Sequence, residues 1–340
     1  MADKRVSRVP LLLLVGVTSQ LALRAHGFAQ AWVPPKGEAS FSMGYGNVFV
    51  RDHTWANGDT FDVGHIRTST VGLSLEYAIS DRFTFDFAVP YIFSKYHGDG
   101  PHVALDGSSI DDGKYHGAFQ DYQFALRFGA LKKPFVLTPY VAADIPSHNY
   151  RYFAHAAVGR DLRRYLVGFF AARRLDPLLE NGYVQLRYSY AFVEKVLGIS
   201  HDQSTADLSL GYFVTPALGV RGLLSYGYTH GGLSLGSDGD EFVARFCDPV
   251  LQCGRTDPSP YWQHHDQIVH EVYLNAGVGL TYALTGSIDV FATYFTALAN
   301  HGGHKISQGL SFGASWSFSP EQVVRNVFRK RSPRLGPAIQ

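Results

Sequence analysis

The sequence predicts an all-β fold: an up-and-down antiparallel transmembrane β-barrel of about 12 strands, with both termini on the periplasmic side. Three observations predict it. Apolar and small or polar residues alternate with period two in one segment after another. The connections between those segments alternate between short and long. The composition is rich in Phe, Tyr and Gly, with 24, 20 and 35 residues in a chain of 340, and only 17% of residues are charged. Such a chain favours strands and tight turns over helices.

At the N-terminus, Lys4, Arg5 and Arg8 precede an apolar run from Leu11 to Leu23 that ends in Gly27-Phe28-Ala29. This is a basic region, a short apolar core and a small-residue cleavage site, so residues 1–29 read as a signal peptide. The run is too short for a spanning helix, which needs about 20 residues. Mean hydropathy, at −0.07, is far below that of a helical membrane protein.

Residues 30–318 carry the strands. Val71, Leu73, Leu75 and Tyr77 share one face, with Gly72, Ser74 and Glu76 on the other. After the turn Ser80-Asp81-Arg82, Phe83, Phe85, Phe87, Val89 and Tyr91 alternate against Thr84, Asp86 and Ala88. The pattern recurs to the C-terminus, giving strands near 39–50, 65–78, 82–93, 117–130, 135–146, 162–174, 183–194, 204–214, 217–229, 267–282, 287–298 and 306–318. Side chains alternate faces along a strand. Each segment therefore has an apolar wall for lipid and a small or polar wall for the interior. Links at 51–64, 94–116, 147–161, 195–203, 230–266 and 299–305 are the longer set, and short turns separate them. Short periplasmic turns and long outer loops are the asymmetry of outer-membrane barrels.

The last strand ends Gly313-Ala314-Ser315-Trp316-Ser317-Phe318. Gly313, Trp316 and Phe318 resemble the C-terminal signal read by the barrel-assembly machinery, which makes that machinery an expected partner, with outer-membrane lipid and lipopolysaccharide around the belt. Residues 319–340 form a basic periplasmic tail carrying Arg325, Arg329, Lys330, Arg331 and Arg334. Cys247 and Cys253 would face an oxidising compartment, where a disulfide is expected. A net charge of +1 argues against nucleic-acid binding.

Parity places Arg67, Glu76, Asp86, Arg127, Asp144, Arg187, Asp207, Arg221 and Glu271 in the lumen. Mixed signs exclude a single-sign filter and leave two readings, a salt-bridge network filling the barrel or a polar permeation path. Segment 162–174 leaves open whether Arg163 and Arg173 or Arg164 and Arg174 face inward. No cofactor is expected. Loop histidines, among them His264, His265, His301 and His304, could in principle bind a metal, although their spacing matches no motif. No catalytic residue is expected: Gly-x-Ser-x-Gly is missing, and Ser147 and His148, adjacent in a loop, should point apart.

Glu76-Tyr77-Ala78-Ile79-Ser80-Asp81-Arg82, Phe87-Ala88-Val89-Pro90-Tyr91 and the stretch from Thr138-Pro139-Tyr140 to Asp144-Ile145-Pro146 resemble the barrel family assigned to the MetA pathway of phenol degradation. A later Pro-Thr-Gly of that family reads Pro146-Ser147-His148 here. The resemblance implies an outer-membrane location and uptake of small hydrophobic or aromatic compounds. The leading expectation is thus a passive channel. The alternatives are an outer-membrane enzyme acting on lipid, and a closed barrel with a structural or surface-interaction role.

Overall fold

The computed structural model describes residues 31–104, 106–234 and 260–321. The signal peptide, the Cys247–Cys253 pair and residues 322–340 of the tail lie outside them. The wall is built from β1 (Ala39–Thr54), β3 (His65–Ala78), β4 (Phe83–His97), β5 (His116–Phe119) with β6 (Asp121–Phe128), β7 (Val136–Pro146), β8 (Arg164–Arg174), β9 (Gly182–Val193), β10 (His201–Phe213), β11 (Leu218–Gly231), β12 (Val272–Ala283), β13 (Ile288–His301) and β14 (Gly303–Phe318). The two-residue β2 (Thr60–Phe61) folds back on β1. Here β5 and β6 are one crossing interrupted at Gln120, whose N–H reaches the Pro90 carbonyl; Pro90 itself has no N–H for the ladder.

Each crossing pairs antiparallel with its sequence neighbour, and β14 pairs with β1 to close the ring of 12. Closure gives every strand two partners, so no edge is left open. The seam runs in register from Ala39↔Phe318 through Gly44↔Gly313, which places both ends of the described barrel at the rim that carries the short turns. A Cβ on Gly313 would lie 2.3 Å from the Met43 carbonyl oxygen and 2.5 Å from the Phe291 ring, so only glycine allows the strands to close there. Trp316 faces outward beside that seam, with Phe318 stacked on it.

Alternation does what the sequence predicted. Val71, Leu73, Leu75 and Tyr77 are each 37–39% exposed, while their even-numbered neighbours turn inward. The outward apolar faces form a continuous belt that is costly in water and suited to lipid. Short turns and long links alternate as expected, except that the link expected at 195–203 shrinks to 194–200, no longer than the turn 175–181 before it, and that the last loop is lost. The predicted loop 299–305 is strand up to His301 and again from Gly303, turning on Gly302 alone (φ 71°).

A second difference lies before β12. The predicted strand start at 267 falls in a helix, α1 (Pro260–Ile268), whose run of polar residues has no period-two pattern; the strand begins at Val272. A third concerns Arg67. It shares the parity of Val71 and Leu73, pairs across the sheet with Phe49, stacks over that ring at 4.9 Å and donates to Asn47. Arg67 is therefore on the outer surface near the long-loop rim, not in the lumen.

Candidate functional site: the barrel lumen

The interior divides into two halves. The half nearer the short turns holds a cavity of about 660 Å³ whose lining reaches the short-turn rim at Pro216, Ala217 and Ser317. Its aromatic lining is Trp32, Tyr140, Phe170 and Phe291. Trp32 arrives on the segment that precedes β1. This segment enters the lumen, where the Ala31 N–H donates to Gln185 (3.0 Å), the Thr138 hydroxyl donates to the Ala31 carbonyl (2.6 Å), and Ala31 packs beside Tyr140 and Phe170.

Ions from the expected positions are interleaved with these rings, Arg127 pairing across the sheet with Tyr140 and Arg187 with Phe170. Glu76 and Asp86 stand directly opposite each other on β3 and β4, an arrangement that repels. Arg127, from β6, resolves it: its Nε and Nη2 donate to Asp86 at 2.7 and 2.9 Å, and Nη2 also donates to Glu76. Arg187 pairs with Asp207 at 2.6 Å, and Arg164 with Asp144 at 2.6 Å. The last contact settles the parity of β8: Arg164 faces inward, while Arg163 reaches Glu194 outside. Arg221 is buried on the inner face beside Gly279. Arg127, Arg164 and Arg187 are thus paired ions, as burial requires.

The long-loop half is filled by chain. Residues 100–104, 106–111 and 147–163 fold into the barrel mouth, and α1 follows them. Ala156 is fully buried against Val48, Val50, Ile66, Tyr96 and Phe295, which project inward from the wall. Tyr150 and Val158 pack on Ile92. Asp111 ties the two loops together, accepting the N–H groups of His102 (2.9 Å), His155 (3.1 Å) and Ala156 (2.8 Å). Burial pushes its carboxyl up, but the His102 side chain, the nearby His155 and the backbone N–H groups of His102 and Ala156 outweigh it and hold Asp111 below the ordinary carboxylate range. Glu271, expected on a lumen strand, lies one residue before β12 and holds Arg160 of the second loop at 3.3 Å. Burial raises the Glu271 carboxyl against the pull of Arg160.

The histidines separate into two groups. His264 stacks on Tyr152 and bonds Gln267, and His301 meets the Ala56 carbonyl at the surface. His265 and His304 instead join His53, His102 and His155 inside the mouth, with successive ring centroids 4.0–5.1 Å apart in the order 304, 53, 155, 102, 265. Sequence reasoning missed His53 and His155. His155 gave no local signal. His53 has the parity of outward Phe49, yet a bulge at Arg51 turns it inward, and a matching irregularity at Ser307 on β14 does the same for His304.

Ser147 and His148 do not diverge as expected: Ser147 Oγ is 2.8 Å from His148 Nδ1. The serine hydroxyl, however, donates its one proton to the Phe119 carbonyl at 2.9 Å. His148 must then be the donor in the pair, the wrong polarity for a base that activates serine.

No family model and no curated protein sequence matches the chain. Among solved structures, the COG4313 outer membrane channel from Pseudomonas putida F1 superposes with a TM-score of 0.63 at 15% identity, covering 86% of this chain and 99% of that one. The NanC porin covers 81% of this chain and 98% of its own at 9% identity, with a TM-score of 0.45. The first likeness shows a shared fold. A closed barrel with a lipid-compatible belt and this architecture belongs in the bacterial outer membrane.

Proposed function

We propose that the barrel is a passive outer-membrane channel for small molecules, with a preference for neutral or zwitterionic compounds that carry an aromatic group. The observation that carries this is the 660 Å³ lumen cavity, with aromatic rings interleaved among paired ions and access from the short-turn rim. Its size is that of a site for a small organic molecule, and such sites combine apolar surface with a few placed polar groups. Paired charges leave no net field to select ions by sign. The fold shared with a protein described as an outer membrane channel supports the same reading. So does the resemblance of the first half of the chain to the MetA-pathway barrels, whose implied cargo is small and hydrophobic or aromatic.

Transit requires the loops in the mouth to move, because they fill the long-loop half. The test is single-channel recording of the refolded mature chain in a planar bilayer, with liposome uptake of a zwitterionic aromatic amino acid alongside. Discrete steps altered by Arg127→Gln or Arg187→Gln are expected. Silent bilayers and impermeable liposomes, from protein shown to be folded, would overturn the channel reading.

A further inference from the structure

We propose that the barrel mouth binds one divalent transition metal ion of the zinc class through His53, His155 and His304, fastening the occluding loop to the wall. The role as a fastener rests on the channel reading above; the site itself stands on geometry.

The three imidazoles come from distant parts of the chain: β1, the 147–163 loop and β14. One ring nitrogen of each lies within 4.8 Å of the others. Zinc–nitrogen bonds of ~2.0–2.1 Å set tetrahedral ligands roughly 3.3 Å apart, so closure asks the rings to contract by at most about 1.5 Å. Neutral imidazole is a common ligand for zinc and copper, and three with an open fourth position is a known set for zinc.

Tautomer and satisfaction point the same way. The Nε2 of His155 lies 3.1 Å from the Gly100 carbonyl, which can only accept, so that nitrogen carries the proton. The lone pair is then on Nδ1, which is buried and has no hydrogen-bond partner. This is the arrangement by which a second-shell carbonyl fixes a metal-binding histidine. His53 is 8% exposed, and neither of its ring nitrogens has a partner. Buried polar atoms are paired in more than nine cases of ten, and leaving one unpaired costs about 1–3 kcal/mol.

The wall is also built for it. The bulges at Arg51 and Ser307 fall at matching levels on two paired strands and turn both His53 and His304 from the lipid side to the interior. Bulges that re-aim a side chain are a recurrent device beside functional sites. Flanking groups extend the donor set, since His102, His265 and Asp266 form a second triad within the same spacing.

The experiment uses the full mature chain without an affinity tag, folded in detergent, stripped with chelator and dialysed against zinc alone. One tightly held equivalent per chain is expected. His53→Gln and His155→Gln should each weaken it by at least ~100-fold, more than the 10–100-fold typical of losing an outer-shell partner. His264→Gln and His301→Gln should leave it unchanged. X-ray absorption at the zinc edge of the loaded wild-type protein needs no variant, and should report a first shell with three imidazole nitrogens. No retained zinc, or a first shell without imidazole, would overturn the site, as would equal loss from the His264 and His301 variants. Zinc is read here without transport. A silent bilayer from folded, metal-free protein that still takes up zinc would therefore remove the channel and keep the site, whereas a conducting protein that binds no zinc would do the reverse.

Discussion

Replacing Arg127 with glutamine tests the ion pairs of the lumen most directly. The guanidinium is 3% exposed, and its partners Glu76 and Asp86 are 29% and 30% exposed. Breaking a fully buried ion pair costs about 3–5 kcal/mol, chiefly because a charge is left without its partner. Two carboxylates open to lumen water recover part of their solvation, which brings the expected loss down to about 2 kcal/mol. That loss has a specific origin in the register, where Glu76 and Asp86 are cross-strand neighbours. The triple variant Glu76→Gln, Asp86→Asn, Arg127→Gln removes the repulsion with the attraction, and should regain most of the stability. Equilibrium unfolding in urea from lipid vesicles, followed by tryptophan fluorescence, measures both. Reversal potentials in a salt gradient add a second readout: the single variant should turn cation-preferring, and the triple variant should not. A single variant as stable as wild type, or a triple variant no better than the single, would refute the reasoning.

Further expectations follow from other contacts. A Cβ on Gly227 would lie 2.0 Å from the Tyr273 ring, whereas one on Gly222 meets nothing within 4 Å. Gly227→Ala should therefore cost ~1–3 kcal/mol of overpacking and Gly222→Ala nearly nothing, by the same unfolding assay. Asp111→Ala removes the shared acceptor of three backbone N–H groups. The amides of His102, His155 and Ala156 should then exchange with deuterium at least ~30-fold faster, a loss of roughly 2 kcal/mol or more. Deleting residues 31–36 removes Trp32 and Ala31 from the cavity. Conductance from the short-turn side should rise, and an unchanged step size would show that the segment does not narrow the path.

The wall was legible in the sequence because alternation is local. Strand positions, the short turns and the inward set of Glu76, Asp86, Arg127, Asp144, Arg187, Asp207 and Arg221 all follow from period two. The expectation that Arg67 lies in the lumen breaks the same rule, since its parity with Val71 places it outside. The mouth was not legible. Residues 100–104, 106–111 and 147–163 carry no period, and what folds them inward is tertiary: Ala156 against five wall side chains, and Asp111 collecting N–H groups from both loops. Helix α1 was hidden for a related reason, because a nine-residue helix inside a long polar link leaves little signal. His53 was masked by the bulge, which breaks the counting on which every face assignment depends.

That bulge also measures the membrane. From Ser40 to Val50, β1 keeps one unbroken alternation, and beyond Val50 it changes phase. Ten steps of about 3.3 Å, tilted by ~40°, rise about 25 Å, which is the height of the apolar band of barrels of this kind. The phase change thus falls where hydrocarbon gives way to headgroups. Above it the wall has no oily solvent to answer to, and its two outermost residues can spend both faces on the interior of the protein. What looks like an irregularity in a strand is the waterline of the barrel, and the collar standing above it is free to vary without endangering insertion below.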